Sequence, residues 1–395
     1  WLIIGGGIHG VHIASSLLGE LGIDRDKLRI VDPGPRLLDR WRTCTATTGM
    51  SHLRSPSVHH LDLDPWSLQH FAGKGKRRKL GVLLGKYGRP SLSLFNSHCD
   101  KVIETYGLDE LHIKDRATSC SVDCDSVDVR LAGGQEIKTR NLVLAIGAGE
   151  KPHWPDWAPR EHDCVHHIFE PGFDGLPNKT ETVAVVGGGI SAAQVGLRLV
   201  KAGHQVHMVS RHAIREHLFD SDPGWLGPRR MQGFRRELDF DQRRELISDA
   251  RHRGSVTPNV RNSLRRAISK EQLRWHEDAV ETVSDEGAHL DLQLKDHGTL
   301  KVNRILLATG FCSKRPGGSM IDGLIQSASL PCAGCGFPVV DTALRWHSNV
   351  YVSGPLAELE LGPVSRNIAG ARRAAARMIE AVRAEQGMPS TNRAS

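Results

Sequence analysis

Two glycine clusters recur in this 395-residue chain, Gly5-Gly6-Gly7-Ile8-His9-Gly10 and Gly187-Gly188-Gly189-Ile190-Ser191-Ala192. Each follows a short apolar run, Trp1-Leu2-Ile3-Ile4 in one case and Val183-Ala184-Val185-Val186 in the other. Each opens a stretch with helical character. The chemistry that needs this pattern is the binding of a pyrophosphate. The first glycine permits a tight turn, the second lets the backbone approach the phosphates, and the third lets helix pack on strand. The phosphates then face a helix N-terminus, where free N–H groups and the helix dipole favour an anion. The three positions are Gly5, Gly7 and Gly10 in the first cluster. In the second they are Gly187, Gly189 and Ala192, alanine being an accepted variant at the third.

The residue that closes the next strand separates the two units. Leu28-Arg29-Ile30-Val31 ends on Asp32, 22 positions after Gly10, where a carboxylate accepts from ribose hydroxyls. Gln205-Val206-His207-Met208-Val209 ends on Ser210-Arg211 instead. A carboxylate there would repel a 2′-phosphate, whereas Arg211 pairs with one, so the second unit is expected to take NADPH rather than NADH. Each unit is later followed by an apolar strand ending in Ala-x-Gly, Asn141–Gly147 and Arg304–Gly310.

The elements that position these turns read as an α/β fold, a Rossmann-like domain with a second Rossmann-like domain inserted into it. The first domain is expected from 1–165 and 300–395, with a helical insertion at about 41–110. The second is expected at 178–299, and the Pro-, Trp- and His-rich stretch 148–180 reads as a connection. In the insertion, Asp64-Pro65 is a good helix start and Pro90 opens a helix running to Tyr106 and stopped by Gly107. Short strands follow at Ser119–Val122, Val127–Leu131 and Glu136–Lys138, with Gly133-Gly134 as a hairpin turn. A long Ala- and Arg-rich helix from about Pro363 to Ala384 closes the chain.

Composition narrows the function. Hydrophobic residues make up 39% and charged residues 25%, as in an ordinary globular protein of two or three domains. The formal net charge is +7 and the isoelectric point is near 9.0. The densest basic run, Lys74-Gly75-Lys76-Arg77-Arg78-Lys79, has no interleaved aromatic residue for base stacking, so nucleic acid is not an expected partner. Two anionic dinucleotides account for local positive potential. No apolar stretch approaches the roughly 18 residues of a transmembrane helix, so no membrane partner is expected. No signal peptide is visible and the chain reads as cytoplasmic, with a few native residues missing before Trp1. The 8 cysteines are scattered, which fits reduced thiols. Cys332-Ala333-Gly334-Cys335 has redox or half-zinc spacing but no second pair, with His347 a single nearby candidate; reactive pair, half a metal site and incidental pair stay open, and no metal is assigned. Cys120 and Cys124 lie at a strand edge and read as structural.

Two Rossmann units in one chain resemble the two-dinucleotide-binding flavoproteins, and the likeness extends over most of the sequence. It implies FAD on the first unit and NADPH on the second. Within that class, Ala308-Thr309-Gly310-Phe311 resembles the A-T-G-Y/F motif of flavin monooxygenases, and the Asp32-to-Trp41 spacing is similar to theirs. Closer still are the NADPH-dependent enzymes that N-hydroxylate lysine and ornithine. Gly189-Ile190-Ser191-Ala192-Ala193-Gln194 matches their G-x-S-A-A-[EQ]. Asn303 to Phe311 matches their D-x-x-x-[LF]-A-T-G-Y, with Asn for Asp and Phe for Tyr. Ile8 stands where those enzymes carry Pro, and Pro355 where the class often has Asp. His166-His167-Ile168-Phe169 has the flavour of the histidine signature of flavin monooxygenases without its spacing.

The resemblance implies FAD contacts at Gly5, Gly7, Gly10, Asp32, Trp41, Gly147, Gly354 and Leu361. It implies NADPH contacts at Gly187, Gly189, Ser191, Ala192, Arg211 and Gly310. Leu361-Gly362-Pro363 would open a helix whose N-terminus faces the flavin. The implied activity is a monooxygenase: NADPH reduces the flavin, O2 adds to give a C4a-hydroperoxyflavin, and a small amine is hydroxylated. In the unusual segment 48–61, Arg54 is a candidate for the flavin edge or a phosphate, and His59 and His60 are candidates for acid–base work. The first alternative is an NADPH-dependent flavin reductase passing electrons to a disulfide or protein, for which Cys44 has no nearby partner. The second is a non-catalytic flavin-binding sensor. Many relatives self-associate, so a homo-oligomer is among the expectations.

Overall fold

The computed structural model describes residues 1–73, 81–149, 151–173 and 175–389. The basic run 74–79 falls outside them. The chain opens with β1 (Leu2–Ile4), α1 (Ile8–Gly19), β2 (Arg29–Asp32) and α2 (Asp39–Thr48). A short helix, Ser67–Phe71, precedes α3 (Leu92–Tyr106) and β3 (His112–Lys114). Ser91 caps α3 through its side chain, and Gly107 ends it at φ +57°. Strands β4 (Ala117–Val122), β5 (Val127–Leu131) and β6 (Glu136–Thr139) form an antiparallel meander. Then come β7 (Leu142–Leu144) and β8 (Val165–His167).

The second unit runs β9 (Thr182–Val186), α4 (Ile190–Lys201) and β10 (Gln205–Ser210). Three helices follow: α5 (Pro228–Arg236), α6 (Phe240–Ala250) and α7 (Pro258–Ser269). Strand β11 (Leu273–Glu277) leads to a second meander, β12 (Val280–Asp285), β13 (Leu290–Leu294) and β14 (Gly298–Val302). The chain ends with β15 (Arg304–Leu307), α8 (Gly318–Ala328), β16 (Arg345–His347), β17 (Val350–Val352) and α9 (Ile368–Glu385).

Two sheets organise the molecule. The first has the order β16-β17-β7-β1-β2-β3, parallel except at β16. The second has the order β8-β15-β9-β10-β11 and is parallel throughout. Parallel strands are covered on both faces, which is why β1 and β9 read as continuous apolar runs. Leu2, Ile3, Val11, Ile13 and Leu17 are buried in one core, and Val183, Val185, Val195 and Leu199 in the other. Each such side chain contributes about 2 kcal/mol when removed from water.

Two expectations are corrected. Strands β8 and β15 lie in the second sheet, so 148–180 is more than a connection and the inserted domain extends beyond 178–299 at both ends. The Ala-x-Gly ending misleads because β15 is to β9 what β7 is to β1. The final helix starts at Ile368 rather than near Pro363; Pro363–Arg366 is a separate 3₁₀ turn. Asn367 precedes the helix with ψ 170°, which breaks the helical path.

Candidate functional site

The two glycine turns are built alike. Gly5 adopts φ +110° and Gly187 φ +146°, a region that favours glycine. A Cβ on Gly5 would overlap Ala145 O, and one on Gly187 would overlap Ala308 O. A Cβ on Gly10 would overlap Gly5 O, so helix α1 lies directly on its own turn. Gly7 is different: nothing lies within 4 Å of an added Cβ. Helix α1 begins there without a side-chain cap, so its first N–H groups face open space. Helix α4 begins likewise at uncapped Gly189, whose nearest neighbour to an added Cβ is Gly254 Cα at 3.7 Å. Both turns therefore have room for a pyrophosphate, and among the described residues no side chain caps either helix start.

Asp32 ends β2 beside the first cradle. Its Oδ2 accepts from Gly6 N at 2.7 Å and its Oδ1 from Gly34 N at 2.8 Å. Each oxygen keeps a second lone pair for a ribose hydroxyl. Leu38 is held at φ +61° while its N–H donates to Gly6 O, so α2 starts tight against the turn. On α2, Trp41 donates from Nε1 to Asn96 Oδ1 at 3.1 Å and rests on Phe95. Gly147 and Gly354 close β7 and β17 with φ +64° each. Gly354 and Leu361 are buried in the segment after β17, and Ser365 Oγ donates to Gly354 O.

His9, inside the first glycine motif, is a buried polar residue that the sequence pattern did not single out. Its Nδ1 shares a 2.7 Å hydrogen bond with Ser353 Oγ. Its Nε2 is buried without a hydrogen-bond partner among the described residues. Burial pushes the imidazole down to about 4, so it is neutral near pH 7. A bulky polar residue at a variable position of the fingerprint was the available signal.

At the second cradle, Ser191 lies in the first turn of α4 and Ala192 is buried beneath it. Arg211 follows β10 exposed, with no hydrogen bond or ion pair among the described residues, as a partner for a 2′-phosphate must be. His212 was also missed. Its ring lies over the turn, with Cε1 2.6 Å from where a Gly188 Cβ would be. Gly310 closes the strand path with φ +83°. Asn303 does what an aspartate would do there, accepting from Thr182 N at 2.9 Å. Phe311 stacks on Phe169 at 5.1 Å and 12°.

Arg54 and His60 are placed elsewhere than a reacting centre. Arg54 pairs with Asp220 at 3.0 Å and donates to the carbonyls of His217, Leu218 and Phe219 and to Ser255 Oγ. Its fork is engaged, so it staples the insertion to the second domain instead of meeting a phosphate. His60 is fully buried. Asp62 N donates to its Nδ1 at 3.2 Å, so the proton sits on Nε2 and is donated to Pro65 O at 3.1 Å. Both nitrogens are used, and burial holds the ring down at about 4. His59 is half-buried and pushed down to about 4 by burial and then by the Arg372 and Arg373 charges.

The cysteines are free thiols. Cys44 is half-buried in α2, and burial pushes its thiol up. Buried Cys120 is pushed up to about 12. Cys332 and Cys335 are exposed in the loop between α8 and β16, where Asp241 Oδ1 accepts from Cys335 N at 2.9 Å.

Two dinucleotide cradles on two parallel sheets, one beside a carboxylate and one beside a free arginine, define an FAD- and NAD(P)H-dependent oxidoreductase. Comparison with known proteins agrees. Residues 2–149 match a family model for FAD-NAD(P)-binding proteins, and residues 95–241 match one for pyridine nucleotide-disulphide oxidoreductases. No curated protein sequence matches. The ornithine N-hydroxylase of Kutzneria sp. 744, solved with reduced FAD, NADP+ and L-ornithine, is similar in fold at TM-score 0.77 and 16% identity, covering 98% of this chain and 99% of that one. The L-lysine 6-monooxygenase of Pseudomonas syringae is similar at TM-score 0.72 and 19% identity, covering 97% and 98%. The bacillithiol disulfide reductase of Bacillus cereus is similar at TM-score 0.63 and 15% identity, covering 97% and 98%.

Proposed function

We propose that the chain is an NADPH-dependent flavin monooxygenase that hydroxylates a small amine. The observation that carries this reading is the placement of its thiols: Cys44 in α2 forms no disulfide, and Cys332 and Cys335 lie exposed in the loop between α8 and β16. Disulfide reduction needs a thiolate nucleophile beside the flavin. Cys44, the cysteine nearest the first Rossmann unit in sequence, stands alone with its thiol pushed up. Cys332 and Cys335 are pushed up as well, first by burial. The motifs around Ser191 and Gly310 and the fold of the two N-hydroxylases point the same way.

FAD, when bound, supplies the redox and oxygen chemistry, and NADPH the hydride. The chain's own part is placement. The first turns of α1 and α4 hold the two pyrophosphates, Asp32 orients a ribose, and Arg211 selects the 2′-phosphate. His9 is neutral and, through its bond to Ser353 Oγ, ties the first turn of α1 to the segment after β17 without adding charge. Closed packing around Gly354 and Leu361 excludes water from that side of the cradle.

The FAD-loaded protein should oxidise NADPH and reduce O2, with one hydroxylamine and one water formed per NADPH when the right small amine is present. Product analysis across a panel of diamines and basic amino acids checks this. The reading is overturned if no amine yields a hydroxylamine while a disulfide is reduced at the expense of NADPH. The exposed Cys332/Cys335 pair is the feature that favours that second reading, electron transfer to a disulfide or protein.

A further inference from the structure

Between the two domains one buried carboxylate is surrounded by three guanidinium groups. Glu358, in the short helix Glu358–Leu361, is fully buried. Arg366 brackets it fork on fork, Nε to Oε2 at 2.8 Å and the terminal nitrogen to Oε1 at 3.0 Å. That pair is complete in charge and geometry. Two more cations nevertheless converge from α6. Arg244 also bonds Glu358 Oε1, donates to Ser313 O at 2.9 Å and lies over the Phe337 ring at 4.1 Å. Arg251, just past the end of α6, lies 3.9 Å from Glu358 Oε2 and donates to Pro363 O at 3.0 Å. Its Nε is buried with no hydrogen-bond partner among the described residues.

The charges do not balance. Three guanidinium groups face one carboxylate, and Arg253 adds positive potential to Arg244 and Arg251. Asp220, the other acid near Arg251, is paired with Arg54. The C-terminus of α6 offers about half a negative charge, well short of two. Uncompensated buried charge costs several kcal/mol. Accordingly burial, followed by the charge of Arg366, pushes Arg251 down to about 9 and Arg244 to about 10. A clasp between domains would need one guanidinium, not three. The three arginine side chains are 18%, 17% and 19% exposed, so their edges remain reachable from solvent.

We propose that Arg244, Arg251 and Arg366 form a binding site for a dianionic oxyanion group, a phosphate monoester or a dicarboxylate, at the junction of the two domains. Planar guanidinium groups suit such a group, Arg251 Nε has no hydrogen-bond partner among the described residues, and two negative charges match the excess. The site is distinct from the NADPH 2′-phosphate position, which Arg211 marks at the end of β10.

Thermal unfolding of the FAD-loaded protein with saturating NADP+ tests this. Inorganic phosphate and malonate are titrated against sodium chloride at matched ionic strength, for the wild type and for Arg251→Gln. Either dianion should raise the wild-type Tm. The larger response assigns the source, phosphate for a phosphate monoester and malonate for a dicarboxylate. Arg251→Gln should have an unchanged or higher Tm without the anion, because like-charge repulsion is relieved. Its half-saturating anion concentration should rise about tenfold or more, the loss of one charge-assisted contact. A wild-type Tm that follows ionic strength alone overturns the proposal. So does an Arg251→Gln protein that loses stability yet keeps its full anion response, which would make the cluster a clasp. No turnover is read, so either result leaves the monooxygenase reading standing or falling on its own product assay.

Discussion

A methyl group on Gly7 would touch no protein atom, yet it would stand at the uncapped start of α1, where we propose that a phosphate sits. Gly7→Ala should therefore leave the Tm of the cofactor-free protein within about a degree while weakening FAD about tenfold, some 1.4 kcal/mol. Equilibrium titration of stripped protein with FAD checks it, with Gly189→Ala as the matched control that should weaken NADPH instead. Unchanged FAD affinity would remove Gly7 from the cradle. Gly10→Ala is a different case, since its methyl overlaps Gly5 O and the fold itself should suffer. The turn geometry was legible in the sequence because it is local: six residues carry it. His9 was only half legible. Its place in the motif is visible, but its partner Ser353 is 344 residues away. Arg54 was misread for the same reason, because a loop arginine does not announce an aspartate 166 positions on.

At the level of elements, the contacts between domains are mostly arginines donating to main-chain carbonyls. Arg54 holds 217–219, Arg198 donates to Ala46 O and Thr47 O at the end of α2, and Arg373 reaches Trp225 O and Leu226 O. Such bonds fix one relative placement, because each fork needs its acceptors in position. Arg54→Met should lower stability by about 3 kcal/mol, as it leaves Asp220 and several carbonyls without their cation. Differential scanning calorimetry should show the Tm falling by several degrees, while NADPH affinity, measured by titration, stays within about twofold. A large loss of NADPH affinity at unchanged Tm would return Arg54 to the phosphate. The end of α3 was readable from Gly107, but its start was not: Pro90 lies in a short strand pair and Ser91 caps a helix that begins at Leu92, while the short helix begins at Ser67 rather than at Asp64-Pro65. The start of α9 was not readable either, because Pro363 opens a 3₁₀ turn as readily as an α-helix.

Across the whole molecule, buried neutral histidines set the response to acid. Burial pushes His9 and His60 to about 4 and His12 to about 3, from an ordinary value of 6.5. Each folded-state pKa lies below its unfolded value, so the unfolded chain binds more protons between those limits. Stability is then unaffected above pH 6.5 and falls as the pH drops from 6.5 toward 4. Denaturant melts at pH 7.5, 6.5, 5.5 and 4.5 should show a progressive loss of several kcal/mol, concentrated below 6.5. A flat profile would mean that these rings are solvated. The two-sheet architecture was readable because the strand–turn–helix unit repeats. The border between the sheets was not, because both end a strand in Ala-x-Gly and pattern alone does not say which neighbour a strand joins.

That border bears on the order in which the protein assembles during synthesis. The second sheet uses only residues 165–307, a continuous stretch, so all its strands are translated before β16 and β17 of the first sheet. The first sheet must wait, because β17 (Val350–Val352) pairs with β7 and α9 packs on α1. The glycine turn at the very start of the chain is thus finished last. A nascent chain stalled before residue 345 would already hold NADPH while its FAD turn, though long since translated, stayed unfinished. Slow, long-range closure of this kind exposes apolar strands β1 and β2 to aggregation, and an early supply of FAD shortens that exposure.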